Sequence, residues 1–197
     1  MKELVVATGN MGKLREIEHL LQGSVTELLS PADFPRYPDV VEDGKTFAQN
    51  AVKKARCASL ATNMQAIADD SGLVVDALHG LPGVHSARFA GEKATDAENN
   101  LKLMAMLDGV PTEHRTAAFQ CVIALCMPNG DCLTFDGELK GVILSEPRGK
   151  GGFGYDPFFF VPSHGCTAAE LDAAEKNRMS HRGIALQALL QRLRTER

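Results

Sequence analysis

The apolar run Leu4-Val5-Val6-Ala7 is short and continuous, the pattern of a strand buried on both faces. A polar loop follows, and from Lys13 the apolar positions Leu14, Ile17, Leu20 and Leu21 recur at helical spacing up to Gly23, which supplies a stop. Pro31, Pro35 and Pro38 punctuate a stretch with little periodicity, read as a surface connection. Thr46 and Gln49 have capping-box spacing, and Phe47, Ala48, Ala51, Val52, Ala55 and Ala58 give the helix after them an apolar face. Ala66-Ile67-Ala68 and Leu73-Val74-Val75 predict strand, interrupted by the polar insert Asp69-Asp70-Ser71-Gly72. Thr95 with Glu98 repeats the capping pattern ahead of Leu101, Met104 and Ala105, and Asp108-Gly109 ends that helix.

The pattern turns to β between residues 117 and 144, where strand-like runs flank Pro128-Asn129-Gly130-Asp131 and its Asn-Gly hairpin signal. Ser180 precedes a final helix whose Ile184, Leu186, Ala188, Leu189 and Leu193 form a buried stripe. Alternating α and β units followed by antiparallel strands predict an α/β fold, a mixed sheet with helices packed on it.

Composition narrows the function classes. A chain of 197 residues with 44% hydrophobic residues has room for one compact domain with a substantial core. Lys plus Arg total 21 against 25 for Asp plus Glu, so the net charge of -4 gives no global attraction to nucleic acid or an anionic membrane. Any polyanion it binds is small and held locally. The five cysteines (Cys57, Cys121, Cys126, Cys132 and Cys166) include no C-x-x-C pair, so reduced core thiols are expected rather than a disulfide framework or zinc cluster. Residues 1–9 enter a strand without a basic-then-apolar leader, and no apolar run approaches the roughly 18 residues of a membrane span. A soluble, cytoplasmic protein is the expectation.

Five segments carry candidate chemistry. In Ala7-Thr8-Gly9-Asn10-Met11-Gly12-Lys13, loop amides and the positive end of a helix can hold phosphate oxygens, with donors on Thr8 and Asn10 and a charge on Lys13. Taken alone, the segment reads more readily as a strand-to-helix turn with a solvated lysine, and it lacks P-loop spacing. The acids Glu42, Asp43, Asp69 and Asp70 suit magnesium, which takes a few carboxylates together with waters and substrate phosphates. Adjacent strand residues face opposite ways, so Asp69 and Asp70 have different jobs, although Asp69-Asp70-Ser71-Gly72 also has the composition of a turn.

Thr46, Asn50 and Lys54 share a helix stripe from which Lys54 can reach phosphate; the alternative is a solvated face with Lys53 and Arg56. In Gly149-Lys150-Gly151-Gly152-Phe153-Gly154-Tyr155-Asp156, glycines permit close backbone approach, and Phe153 and Tyr155 can stack on a base that Asp156 or neighbouring backbone groups would have to discriminate. Phe158, Phe159 and Phe160 belong to a core strand. In Lys176-Asn177-Arg178-Met179-Ser180-His181-Arg182-Gly183, two basic residues follow the Ser cap, against the helix-dipole preference, which points to a bound anion or carbonyl or to a structural role for His181.

Taken together, T-G-N-M-G-K, E-D-G-K-T-F-A-Q-N-A, A-D-D-S-G-L, P-G-V-H-S-A-R-F-A-G, G-G-F-G-Y-D-P-F-F and E-K-N-R-M-S-H-R-G resemble, in order and over residues 4–190, the inosine/xanthosine triphosphate pyrophosphatases, the Ham1-like family. The resemblance implies an elongated single-domain α/β fold spanning residues 1–197 with a central active-site cleft, a homodimer, and magnesium-dependent hydrolysis of inosine and xanthosine nucleotides, ribose and deoxyribose, to monophosphate and pyrophosphate. It implies substrate binding by Thr8, Gly9, Asn10, Met11, Gly12 and Lys13, metal binding by Glu42 and Asp70, and Asp70 as proton acceptor. Ser71, Phe153, Gly154, Tyr155, Asp156, Lys176, His181 and Arg182 would contact the nucleotide. A nucleotide sensor without turnover and a nucleotidyl-transfer enzyme are the competing readings.

Overall fold

A computed structural model describes residues 3–24, 27–35 and 37–195. Met1 and Lys2, where the leaderless start was expected, lie outside them. The elements in chain order are β1 (Glu3–Val6), α1 (Met11–Leu21), β2 (Glu27–Leu29), α2 (Phe47–Thr62), β3 (Ala66–Val75), α3 (Asp96–Met106), β4 (Thr116–Cys126), β5 (Cys132–Ile143), β6 (Phe159–Val161), β7 (Cys166–Thr167), α4 (Ala173–Met179) and α5 (His181–Thr195). The strands form a seven-stranded sheet in the order β2-β1-β3-β4-β5-β6-β7, parallel where β1 meets β2 and β3 and antiparallel at β5-β6 and β6-β7. This is the mixed α/β arrangement the alternation predicts.

Within this fold the chain groups into two compact units, and the boundaries fall inside β3, β4 and β5 and between α4 and α5. Unit 1 holds residues 1–70, 121–137 and 181–197; unit 2 holds 71–120 and 138–180. Each has its own core. Unit 1 buries Leu4 and Val6 of β1, Ile17 and Leu21 of α1, Ile67 of β3, Ile123 and Leu125 of β4, and Leu186 and Leu189 of α5. Unit 2 buries Leu73, Leu103, Phe119, Ile143, Tyr155 and Phe159, with the Phe119 and Phe159 ring centroids 4.3 Å apart.

Several elements depart from the sequence reading. The proline-rich connection contains the short strand β2, whose parallel pairing with β1 compensates for its weak pattern. The acidic insert does not break the strand: β3 runs through Asp69-Asp70-Ser71-Gly72 because partners for both carboxylates lie beside it. Helix α1 starts at Met11, two residues earlier than the apolar spacing indicates, since Asn10 caps the Gly12 and Lys13 amides. Helix α4, absent from the reading, is capped by Asp172 on the Glu175 amide. On α5, Ile184 faces solvent, and Ala185 takes its place in the buried stripe.

The expected hairpin is present: the Met127 amide donates to Asp131, Gly130 adopts φ +94°, and β4 and β5 are neighbours. That turn brings Cys126 and Cys132 together, with Cα atoms 4.2 Å apart, as a disulfide. This corrects the expectation of reduced thiols throughout; a pair separated by a hairpin turn was not recognisable from the absence of C-x-x-C. Cys57, Cys121 and Cys166 are free thiols. Among the described residues no helix is long and apolar enough to cross a membrane.

Candidate active site

The acidic segment of β3 lies just beyond the end of β1. Val6 pairs with Ile67 and the Ala7 amide donates to the Ile67 carbonyl, after which the β1 chain leaves for the loop before α1. Asp69 and Asp70 are therefore next to the N-terminal end of α1, a position beyond the carboxyl end of a parallel strand where α/β sheets bind ligands. Both are buried, and the strand alternation separates their partners as anticipated.

Asp69 Oδ2 meets Lys13 Nζ at 3.0 Å and Arg182 Nε and Nη2 at 3.1 Å each, while Arg182 Nη1 also pairs with Glu16. Burial pushes the Asp69 carboxyl up, but the opposing charges of Lys13, Arg182 and Lys54 outweigh it and hold the group well below the usual carboxylate range. Arg182, 1% exposed, is held far above its ordinary value by Asp69 and Glu16 despite desolvation. The guanidinium expected at the nucleotide is thus engaged inside unit 1. Glu16 was missed; its only sequence signal is a position three residues after Lys13 on α1.

On the other side of β3, Lys54 Nζ lies 2.9 Å from Glu42 Oε1 and 3.3 Å from Asp70 Oδ1. Asn50, one turn earlier on α2, donates to Asp70 Oδ2 at 3.1 Å and accepts from the Gly44 amide at 2.8 Å. A Cβ on Gly44 would fall 2.4 Å from Asn50 Oδ1, so the chain carrying Glu42 reaches α2 only with glycine there. Burial dominates at Asp70 and raises its pKa above the ordinary value, opposed by Lys54, Lys13 and the Asn50 hydrogen bond. Desolvation lowers the Lys54 ammonium, but Asp70, Asp69 and Glu42 outweigh it and raise its pKa. Asp43 pairs instead with Lys53 at the surface, 2.6 Å away.

The loop before α1 is organised as a helix start. Asn10 Oδ1 accepts from Gly12 and Lys13, and the Asn10 amide donates to Thr8 Oγ1 at 3.2 Å. Two amides expected in a phosphate cradle are therefore used by Asn10. Gly9 and Met11 are exposed, and nothing lies within 4 Å of a Cβ placed on Gly9. His181 is the first residue of α5 and buried.

Unit 2 gathers the glycine-rich segment. Asp156 Oδ2 accepts from the Phe153 amide at 2.9 Å and from Lys176 Nζ at 2.7 Å, and the Lys176 ammonium stands 4.9 Å from the Phe153 ring centroid. Gly152, at φ +71°, leaves no room for a Cβ, which would lie 2.0 Å from Asp156 Oδ2. Tyr155 is not available as a stacking face: it is buried in the unit 2 core and donates its hydroxyl to the Ser86 carbonyl at 2.8 Å. That corrects the paired-aromatic reading; Phe153, half-buried, is the ring left for a ligand. Ser71, the first residue of this unit, is partly exposed.

The sequence pattern of the Ham1 family matches residues 4–192. The chain belongs to the Ham1 family. Among curated relatives of this family member, the dITP/XTP pyrophosphatase of Geobacter sulfurreducens is 61% identical over 189 residues, covering 96% of this chain and 95% of that protein. The dITP/XTP pyrophosphatase of Desulforamulus reducens is 53% identical, covering 96% and 94%. A solved Ham1 protein from Coxiella burnetii superposes with a TM-score of 0.90 at 48% identity over 100% of both chains. A nucleoside-triphosphatase, also described as a dITP/XTP pyrophosphatase, from Mycobacterium abscessus superposes at 0.79 with 46% identity, over 95% of this chain and 98% of that one.

Proposed function

We propose that this chain is a magnesium-dependent nucleoside triphosphate pyrophosphatase. It hydrolyses non-canonical purine nucleotides, the triphosphates of inosine and xanthosine in ribose and deoxyribose forms, to the monophosphate and pyrophosphate, keeping them out of DNA and RNA. The observation that carries the chemistry is the convergence of Glu42 and Asp70 on a single cationic atom, Lys54 Nζ, at 2.9 and 3.3 Å. The relatives' activity on dITP and XTP supports the substrate class.

The donor set fits magnesium. Two hard carboxylate oxygens that already share one cation match a metal that takes one or two carboxylates and completes its shell with water and phosphate. Among the described residues no group of three or more His, Cys, Asp or Glu side chains is placed to hold a metal, so a fully protein-made cage is not offered. Glu42 and Asp70 would hold the ion. When bound, it supplies neutralisation of the triphosphate charge.

The chain's own residues do the rest. Lys13 and Lys54, with the positive end of α1, draw the polyphosphate. One water adds across the α–β anhydride, one of its protons passes to an Asp70 oxygen, and pyrophosphate leaves. Asp70, buried beside Lys54 and Asn50, is the carboxylate placed to take that proton. Asp69, locked to Lys13 and Arg182, remains ionised and holds Lys13 in place. Phe153 and Lys176 present a ring and a cation to the base. A sensor without turnover has no use for carboxylates beside the phosphate-binding lysines, which favours the hydrolase.

The enzyme works in the cytoplasm as a homodimer on this reading, which sedimentation of the purified protein tests. The catalytic test is Asp70→Asn, which keeps shape and removes charge and basicity. It should lower kcat for inosine triphosphate by about 100-fold or more at unchanged thermal stability, and magnesium titration should restore nothing. Near-normal turnover by a folded variant would overturn the assignment.

A further inference from the structure

The base-binding loop is held from a helix that none of its motif residues belongs to. Gly154 sits at φ +63°, a conformation that favours glycine, and both peptide planes beside it are held from α3. The Gly154 amide donates to Asp96 Oδ2 at 2.7 Å, and the Gly154 carbonyl accepts from Asn100 Nδ2 at 2.9 Å. Asp96 and Asn100 are four residues apart, so they lie along one face of α3. Helix α3 is itself anchored: Thr95 and Glu98 close a reciprocal capping box, and Arg115 donates to the Leu107 and Val110 carbonyls at its far end.

These two bonds act on Phe153 directly. The amide that Asp96 holds belongs to the Phe153–Gly154 peptide, so it fixes the plane at which the Phe153 backbone ends. The Phe153 amide is fixed by Asp156, and Asp156 in turn by Lys176. With both ends of the residue tied, the backbone that carries the Phe153 ring is fixed, and the Lys176 ammonium lies over that ring. Asn100, 9% exposed, makes its bond where water competes little.

We propose that Asp96 and Asn100 are positioning residues for nucleobase recognition, acting through the two peptide groups of Gly154. The proposal rests on the reading that the Phe153 loop takes the base. It explains why an exposed acid and a buried amide occur one turn apart on a helix that supplies no group to the phosphates.

The experiment measures kcat and KM for inosine triphosphate and ATP, and the inhibition constant of inorganic tripolyphosphate, in wild type, Asp96→Ala, Asp96→Asn and Asn100→Asp. Losing one hydrogen bond that orients the loop should raise KM for inosine triphosphate about tenfold and change kcat less than about threefold. The preference over ATP should narrow while tripolyphosphate binding stays at the wild-type value. Asp96→Asn retains an acceptor for the Gly154 amide and should recover wild-type KM; Asn100→Asp, nearly isosteric, removes the donor and should not. Unchanged KM in both Asp96→Ala and Asn100→Asp would overturn the proposal, as would equal losses in inosine triphosphate and tripolyphosphate binding. Wild-type enzyme that fails to split inosine triphosphate would instead sink the functional reading on which the proposal stands.

Discussion

Arg182→Met tests the internal ion cluster of unit 1. The guanidinium is 1% exposed and meets Asp69 Oδ2 through Nε and Nη2 at 3.1 Å each, beside Lys13 at 3.0 Å. Methionine keeps most of the volume but leaves Asp69 and Glu16 in the protein without their shared partner. Breaking a buried pair by removing one member costs about 3–5 kcal/mol, and the surviving Lys13 contact places this case near the lower end. A loss of about 3 kcal/mol is a large share of a typical total of about 5–15 kcal/mol, and at about 2–4 °C per kcal/mol it lowers Tm by roughly 6–12 °C. Urea denaturation of wild type, Arg182→Met, Asp69→Asn and the double variant closes a thermodynamic cycle. The double variant should be more stable than the sum of the single losses predicts, with a coupling of at least about 1 kcal/mol. If Arg182→Met stays within about 1 kcal/mol of wild type, the charge-cluster reasoning fails.

The Asp69 carboxyl is depressed in the folded chain, so it stabilises above the ordinary carboxylate range and this contribution is lost as pH falls through that range toward its native value. The stability difference between wild type and Asp69→Asn should therefore shrink below about pH 5, and a pH-independent difference contradicts the shift. Burial pushes the Cys121 thiol up to about 12, so iodoacetamide at mildly alkaline pH should label Cys57 long before Cys121 in native protein; equal labelling rates by mass spectrometry refute this. Gly152→Ala forces a Cβ against Asp156 and should raise KM for inosine triphosphate more than it lowers kcat; an unaltered KM would show the loop to be tolerant. Thr95→Ala removes the α3 cap and should cost about 1 kcal/mol in denaturant unfolding, where no change would show the cap to be idle.

Much of this was legible because the signals are local. The cap at Thr46, the capping box at Thr95, the Asn-Gly turn and the helical spacing after Lys13 each specify a few consecutive residues, and each element formed at or within two residues of its signal, although the Gln49 side chain accepts from the Lys45 amide and leaves the box at Thr46 open. Alternation along the strand also anticipated that Asp69 and Asp70 have different partners, which lie on different sides of β3. What failed depends on distant partners. Polar Asp69-Asp70-Ser71-Gly72 has the composition of a turn, and only lysines and an arginine from α1, α2 and α5 make it a tolerable strand interior. Tyr155 looked like a second stacking ring because its sequence neighbours resemble a binding loop; the Ser86 carbonyl 69 residues away commits it to the core. Arg182 and Glu16 are 166 residues apart, a pairing no window along the chain reveals.

The central claim is cleavage between the α and β phosphates of a non-canonical purine nucleotide. Phosphorus NMR of the products from inosine, deoxyinosine, xanthosine, adenosine and guanosine triphosphates, with kcat/KM for each in the presence of magnesium, tests it directly. The account predicts monophosphate and pyrophosphate as the sole products, with inosine and xanthosine nucleotides preferred over the adenosine and guanosine ones by about 100-fold. Release of inorganic phosphate with a diphosphate, or equal kcat/KM across all five, would contradict it.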